Sequence, residues 1–257
     1  MKNTNRVDTE LFEQEHYLGK PAEFNDKIIG RRLNLLHQVE NFCGTDLNCL
    51  EIGCGIGATA VQLSSDFKEV VGIEYYEGHG KEFNDLKTKM QADNVSFQVH
   101  NIEEQPTEFK YDRLVSFEVI EHLNSEDGVM NYAKSLKDEG LAIISVPNKW
   151  WVFEQHGARL PLLPWNRVPF FSWLPRPLHE RWALARIYTK RRIRKLLEKS
   201  GFEVLSCKYI TAPMDVLPEG WLKQLLTTTI FKSDSTSVPF LSTSIFVVAR
   251  KKSRVEH

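Results

Sequence analysis

Short apolar runs alternate along this chain with longer stretches in which apolar residues return every three or four positions. Residues 47–52, 69–74, 95–99, 114–117 and 140–147 are compact apolar or alternating runs bounded by glycine, proline or polar residues, and they read as strands. Residues 24–39, with Ile28, Ile29, Leu33 and Leu36 at helical spacing, read as a helix, as do 57–65, 81–92, 125–137 and 189–200. Strands at 201–210 and 242–250 and a short amphipathic helix from Trp221 complete the pattern. Strand alternating with helix specifies an α/β sheet that carries its ligand at the strand C-termini.

One segment breaks the rhythm. Residues 149–188 hold Trp150, Trp151, Phe153, Trp165, Phe170, Phe171 and Trp173 among five prolines, which rule out one long helix. An aromatic insertion after the fifth strand would lie over the strand ends as a lid or acceptor wall, with Trp151, Glu154 and His156 as acceptor contacts. Basic residues from Arg176 to Lys195 follow it, and aromatic plus basic character suits an interfacial membrane contact through 149–195. A small buried subcore with a solvated helix behind it is the plain alternative.

Chemistry concentrates in two places. The first is Leu50-Glu51-Ile52-Gly53-Cys54-Gly55-Ile56-Gly57, a strand that turns at once into a helix, where glycine supplies backbone angles closed to other residues and lets a ligand approach the chain. The spacing G-x-G-x-G differs from the dinucleotide form G-x-G-x-x-G, and Glu51 would repel a pyrophosphate but suits a cationic ligand. A second acid, Glu74, ends the second strand, where its two oxygens can take two ribose hydroxyls. Tyr75 beside it is placed to stack on a nucleobase. The second place is Ser116-Phe117-Glu118-Val119-Ile120-Glu121-His122-Leu123, in which Glu118, Glu121 and His122 would share one face of a helical turn.

The first stretch resembles the glycine motif of the class I S-adenosylmethionine-dependent methyltransferases. The second closely resembles the fourth-strand motif of the ubiquinone-biosynthesis O-methyltransferases and their relatives. The resemblance implies a Rossmann-like three-layer sandwich with a seven-stranded, mostly parallel sheet and an antiparallel last strand. It implies S-adenosylmethionine bound by Gly53, Cys54, Gly55, Gly57 and Phe117, with Asn101 taking the adenine amino group and Ile102 packing on the ring. Residues 1–46 would form an N-terminal helical cap on a methyltransferase domain at 47–257, bringing Arg31 or Arg32 to the methionine carboxylate. In that family the motif's acids and histidine hold a divalent cation such as magnesium, which here would be Glu118, Glu121 and His122. Such an ion would acidify an acceptor hydroxyl; alternatively His122 alone acts as general base, or the acids cap the turn and His122 packs.

Composition adds bounds. With 257 residues, 42% hydrophobic and 26% charged, the chain can bury a full core. A formal net charge of -1 gives no global reason to expect nucleic acid. Cys43, Cys49, Cys54 and Cys207 show no C-x-x-C pairing and read as reduced thiols. The polar N-terminus is unlike a signal peptide, and no run reaches the ~18 apolar residues of a membrane span. These point to a cytoplasmic protein, peripheral on the inner membrane face if the insertion meets lipid. The expected reaction is methyl transfer to oxygen of a small or lipid-linked acceptor, a quinol precursor or a polyprenyl-linked sugar. The alternatives are a catalytically silent binding module and an NAD-dependent oxidoreductase.

Overall fold

The computed structural model describes residues 23–154, 156–160, 168–215 and 217–253. The first 22 residues of the expected N-terminal cap, and Trp165 with Pro161 and Pro164, lie outside the described residues. Eight strands form one sheet: β1 (Gly44–Ile52), β2 (Phe67–Glu74), β3 (Val95–Val99), β4 (Tyr111–Phe117), β5 (Leu136–Pro147), β6 (Phe202–Thr211), β7 (Ser235–Thr236) and β8 (Ser242–Lys251). Their order is β3-β2-β1-β4-β5-β8-β6-β7. Strands β1 to β5 pair in parallel, and β8 lies antiparallel between β5 and β6.

The expected sheet of seven strands is present, with β8 as its antiparallel last strand. An eighth strand, β7, is added on the edge of β6, pairing Tyr209 with Thr236 and Ile210 with Ser235. Two residues are too few to leave an alternating pattern in the sequence.

Helices cover both faces. On one lie α1 (Lys27–His37), α2 (Ala58–Gln62) and α3 (Gly80–Met90), which bury Ile29, Leu33, Leu36, Val61 and Phe83 against Cys49, Val70, Val115 and Ile143. On the other, α4 (Val129–Lys134) and α6 (Lys190–Lys199) bury Tyr132, Ile193 and Leu197 against Leu50, Leu114, Ile144 and Val247. This is the three-layer arrangement. The helix expected over 125–137 is shorter, because Ser125 caps a 3-10 turn at Glu126–Gly128 and Leu136 already pairs with Tyr111 in the sheet.

The insertion is pinched at its base. Lys149 N–H donates to Tyr188 O at 2.8 Å and Tyr188 N–H to Pro147 O at 2.9 Å. Between these strands of the neck stand a 3-10 turn at Phe171–Trp173 and α5 (Arg176–Trp182). A second excursion, from Thr211 to Ser242, carries α7 (Trp221–Thr228). Both leave the sheet at the C-terminal ends of β5 and β6. No helix among the described residues is long and apolar enough to cross a membrane.

Candidate active site

The C-terminal ends of β1, β2 and β4 gather the residues that the sequence singled out. Gly53, Gly55 and Gly57 have φ of +71°, +50° and +85°, the left-handed region that favours glycine. A Cβ at Gly53 would collide with Val119 Cγ2, and one at Gly57 would meet Phe83 Cδ2 at 2.6 Å. Gly53 and Cys54 both donate N–H to Ile73 O, which fastens the loop to β2. The Cys54 thiol lies against Gly72, where an added Cβ would meet it at 2.8 Å, so Cys54 contributes backbone to the loop and its side chain to the core.

Glu74 reaches across the loop. Its Oε2 accepts from Gly55 N–H at 2.9 Å and its Oε1 from Tyr75 N–H at 2.8 Å. A carboxylate offers about four lone-pair sites, so these bonds orient it and leave acceptor capacity for a diol. Glu51 is 3% exposed and its Oε2 has no hydrogen-bond partner among the described residues. Burial pushes its carboxyl up to about 8, against the pull of Thr59 and the Ala60 amide. A buried acid with an orphaned oxygen beside a loop that only glycine can form is a site made for a cation on a close-approaching ligand. These residues fit the cofactor that the resemblance implies.

Other predicted cofactor residues are placed less directly. Tyr75 is half exposed. The Asn101 side-chain oxygen accepts from Glu103 N–H at 3.1 Å, which caps the turn after β3, and Ile102 packs in the core with Leu123 and Val129. Phe117 stands at the end of β4 with the Arg32 guanidinium 5.3 Å from its ring centre.

Arg31 is a correction. Its guanidinium donates to the carbonyls of Thr211, Ser233 and Phe231, so it ties α1 to the second excursion and does not enter the site. Arg32 does, with Nη2 3.0 Å from Glu118 Oε1 and only 6% of the residue exposed. Helical spacing carries the signal for this choice, since Arg32 follows Ile29 by three positions and precedes Leu36 by four, on the buried face.

The acidic motif departs from the expected single face. Glu118 has φ +58° and precedes the 3-10 turn Ile120–His122, so it is out of helical register with Glu121 and His122. Burial would raise its carboxyl, but Arg32 first, then His156 and Ser145, hold it down to about 2. Glu121 is fully buried, with neither oxygen hydrogen-bonded among the described residues. Burial and then the charge of Glu118 push it well above the ordinary carboxylate range.

His156 enters this corner from the insertion. Its Nε2 lies 3.5 Å from Glu118 Oε2 and 3.7 Å from Glu121 Oε1, and its ring meets that of His122 edge-on at 5.2 Å. Donor atoms of Glu121, His122 and His156 all lie within 4.8 Å of one another. Glu118 is not one of that group, and its Oε1 is held by Arg32 and Ser145. One carboxylate and two imidazoles differ from the oxygen-rich set magnesium takes, so magnesium at Glu118, Glu121 and His122 does not fit this geometry.

The other predicted acceptor contacts lie deeper. Trp151 packs with Ala212 and Phe231 beneath the surface, 9% exposed. Glu154 pairs with His179 of α5 at 2.7 Å, both buried. Burial would raise the Glu154 carboxyl, but the bond and charge of His179 hold it below the usual range. This pair anchors the loop that carries His156, whose N–H donates to Glu154 Oε1 at 3.2 Å.

Known proteins agree with this architecture. The family model described as "Methyltransferase domain" matches residues 22–207. A "Ubiquinone biosynthesis O-methyltransferase" of Rickettsia bellii (strain OSU 85-389) is 25% identical over 219 residues, covering 81% of this chain and 86% of that protein. Among solved structures, an S-adenosylmethionine-dependent methyltransferase from Mesorhizobium loti superposes with a TM-score of 0.59 at 13% identity, over 86% of this chain and 98% of that one. The [4+2]-cyclase SpnF superposes equally well, with a TM-score of 0.59 at 14% identity over 87% of this chain and 80% of that one. Likeness at such identities establishes the fold alone, and chemistry has to be argued from the site.

Proposed function

This chain belongs to the methyltransferase-domain family and is a class I S-adenosylmethionine-dependent methyltransferase, and on that premise we propose that it methylates an oxygen of a small or lipid-linked acceptor at the corner formed by Glu118, Glu121, His122 and His156. The nicotinamide and silent-module readings are set aside by the family match over most of the chain. S-adenosylmethionine supplies an electrophilic methyl group when bound. Gly53, Gly55 and Gly57 admit it, Glu74 takes its ribose hydroxyls, and the Glu51 carboxylate faces its ammonium. Phe117 then separates this cradle from the acceptor corner.

The observation that supports transfer to oxygen is the pair of imidazoles beside two buried acids. An acceptor hydroxyl must lose its proton as the new bond forms, and His122, with its ring against His156, is positioned to take it. Arg32 keeps Glu118 ionised, which stabilises positive charge arriving on the imidazoles. The relative's name points the same way, being that of an O-methyltransferase. If a cation takes part, Glu121, His122 and His156 would hold it, and its chemistry would be to acidify the same hydroxyl.

We further take the described residues of the insertion, 149–154, 156–160 and 168–188, as a lid over this corner, and their aromatic and basic character as the reason a lipid-linked acceptor suits the chain. The test is calorimetric titration with S-adenosylhomocysteine, beside NADH, on the wild type, Glu74→Ala and His122→Ala. The expected result is binding of the first ligand only, weakened in Glu74→Ala and kept in His122→Ala, whose turnover on a membrane-extract acceptor is lost. Equal loss of binding and turnover in His122→Ala would remove the proton-transfer assignment.

A further inference from the structure

A second concave site lies one step beyond the acidic motif, on the other side of its turn. It is an open groove of about 650 Å³ between the turn after His122 and the first turns of α6. Six cations line it: Arg176, Arg186, Arg191, Arg192, Lys195 and Lys199. Two acids, Glu126 and Asp127, share it, and both are already engaged. Arg192 pairs with Glu126 at 2.8 Å and with Glu180 at 3.0 Å, Arg176 takes Glu180 at 3.0 Å, and Lys199 takes Asp127 at 3.4 Å.

Three cations remain without a countercharge. Arg191 and Lys195, one turn apart on the exposed face of α6, make no ion pair among the described residues. Arg186 is 8% exposed and spends its guanidinium on main-chain carbonyls only, those of Leu123 and Asn124, the latter at 2.8 Å. A buried guanidinium that makes no ion pair among the described residues adds its positive charge to the groove lining. The groove also receives the N-terminus of the ten-residue helix α6, whose dipole adds to the same sign. Forked guanidinium groups with an ammonium and a helix N-terminus are the donor set that matches phosphoryl oxygens.

We propose that this groove binds a phosphoryl group, either a free phosphate or diphosphate or the headgroup of a phosphorylated lipid. Arg186 joins it to the acceptor corner, because its own N–H donates to Glu121 O at 3.2 Å. On the acceptor reading, a molecule anchored here by its phosphoryl end would have to pass the turn at Ile120–His122 to reach His122 and His156. The inference rests on the acceptor reading for that orientation only; the binding itself needs no methyl transfer.

The test is titration of the full chain with inorganic pyrophosphate at fixed ionic strength, since exposed charges are screened by salt. Saturable binding is expected, weakened about tenfold or more in the Arg191→Ala/Lys195→Ala double variant, as two charged hydrogen bonds are removed. Lys68→Ala, an exposed cation on β2, is expected to bind as the wild type does. Phosphatidylcholine vesicles with and without phosphatidic acid separate the sources. Capture increased by phosphatidic acid over phosphatidylcholine alone, with the increment reversed by pyrophosphate, assigns a lipid headgroup, and pyrophosphate binding without such an increment assigns a soluble one. No saturable binding of either probe, or equal weakening by Lys68→Ala, overturns the proposal. Titration with S-adenosylhomocysteine on the same samples reports the cofactor site separately, so its failure beside intact pyrophosphate binding would count against that site and not this one.

Discussion

Gly57 and Gly30 show how differently one residue type can act in this chain. Gly57 has φ +85° and Phe83 stands where its Cβ would go, whereas Gly30 lies in α1 with nothing within 4 Å of an added Cβ. Gly57→Ala should therefore cost roughly 2–4 kcal/mol through strain and overpacking. Gly30→Ala should stabilise by about 0.5–1 kcal/mol through helix propensity. Denaturant midpoints decide it, and a Gly57→Ala variant no worse than Gly30→Ala would remove the clash from the account of the loop. Glu51 contributes a pH dependence of its own. Its folded value, about 8, stands above the unfolded ~4.3, so between them the native chain keeps a proton that the unfolded chain has lost. Stability from this group is present below the unfolded value and falls as pH climbs toward 8. An ammonium bound beside it reverses the shift, so binding near neutrality must expel the proton. Calorimetry at pH 7 in two buffers of unlike ionisation heat should show release of about one proton per S-adenosylhomocysteine, and none in Glu51→Gln. No release from the wild type would move the ammonium away from Glu51. The glycines and both acids were legible because each is dictated by a local turn or a strand end. The choice of Arg32 over Arg31 needed the helical phase, and the partnership of Glu118 with Arg32 joins residues too far apart for any local pattern.

At the level of elements, apolar runs located every strand of the sheet except β7, and helical spacing located α1, α3, α6 and α7. The insertion was legible only as an exclusion: its prolines forbade a long helix, and the longest helix among its described residues has seven. What holds it is a buried contact between Glu154 and His179, 25 positions apart and in no periodic relation. Neither side chain is more than a twentieth exposed, so removing one partner strands a buried polar group. His179→Ala should destabilise the insertion by about 3–5 kcal/mol and leave the glycine loop untouched. Limited proteolysis should then cut within 149–188 in the variant and not in the wild type, with S-adenosylhomocysteine affinity unchanged. Turnover should fall as well, because His156 donates to the same Glu154 and loses its support. Resistance to cleavage in the variant would mean that the neck at Pro147 and Tyr188, and not this pair, maintains the segment.

Across the whole molecule the exposed apolar side chains are unevenly spread. Of seventeen large hydrophobic residues exposed among the described residues, ten lie between Phe153 and Leu178 or between Trp221 and Phe240. Both segments spring from the C-terminal ends of β5 and β6, the same end of the sheet as the active corner. Trp150, Trp173 and Phe240 bring the two together in one aromatic cluster. Helix α7 is turned opposite to the usual amphipathic arrangement: Lys223 is 7% exposed and bonded to Glu219, while Trp221 is 77% and Leu225 50% exposed. An apolar surface beside an acceptor corner suits an acceptor whose tail stays in the bilayer, since the enzyme can then work at the interface without extracting it. The full chain should float with neutral phosphatidylcholine vesicles, where headgroup charge plays no part. Trp221→Asp/Leu225→Asp should lower the bound fraction by about tenfold or more, each immersed side chain being worth about 1.5–3 kcal/mol. Arg191→Ala/Lys195→Ala should leave flotation on these neutral vesicles unchanged, because the groove answers to phosphoryl charge and α7 to hydrocarbon. Flotation indifferent to the α7 substitutions would put the contact elsewhere, and a chain that floats with no vesicle would return the exposed face to the account of a soluble acceptor.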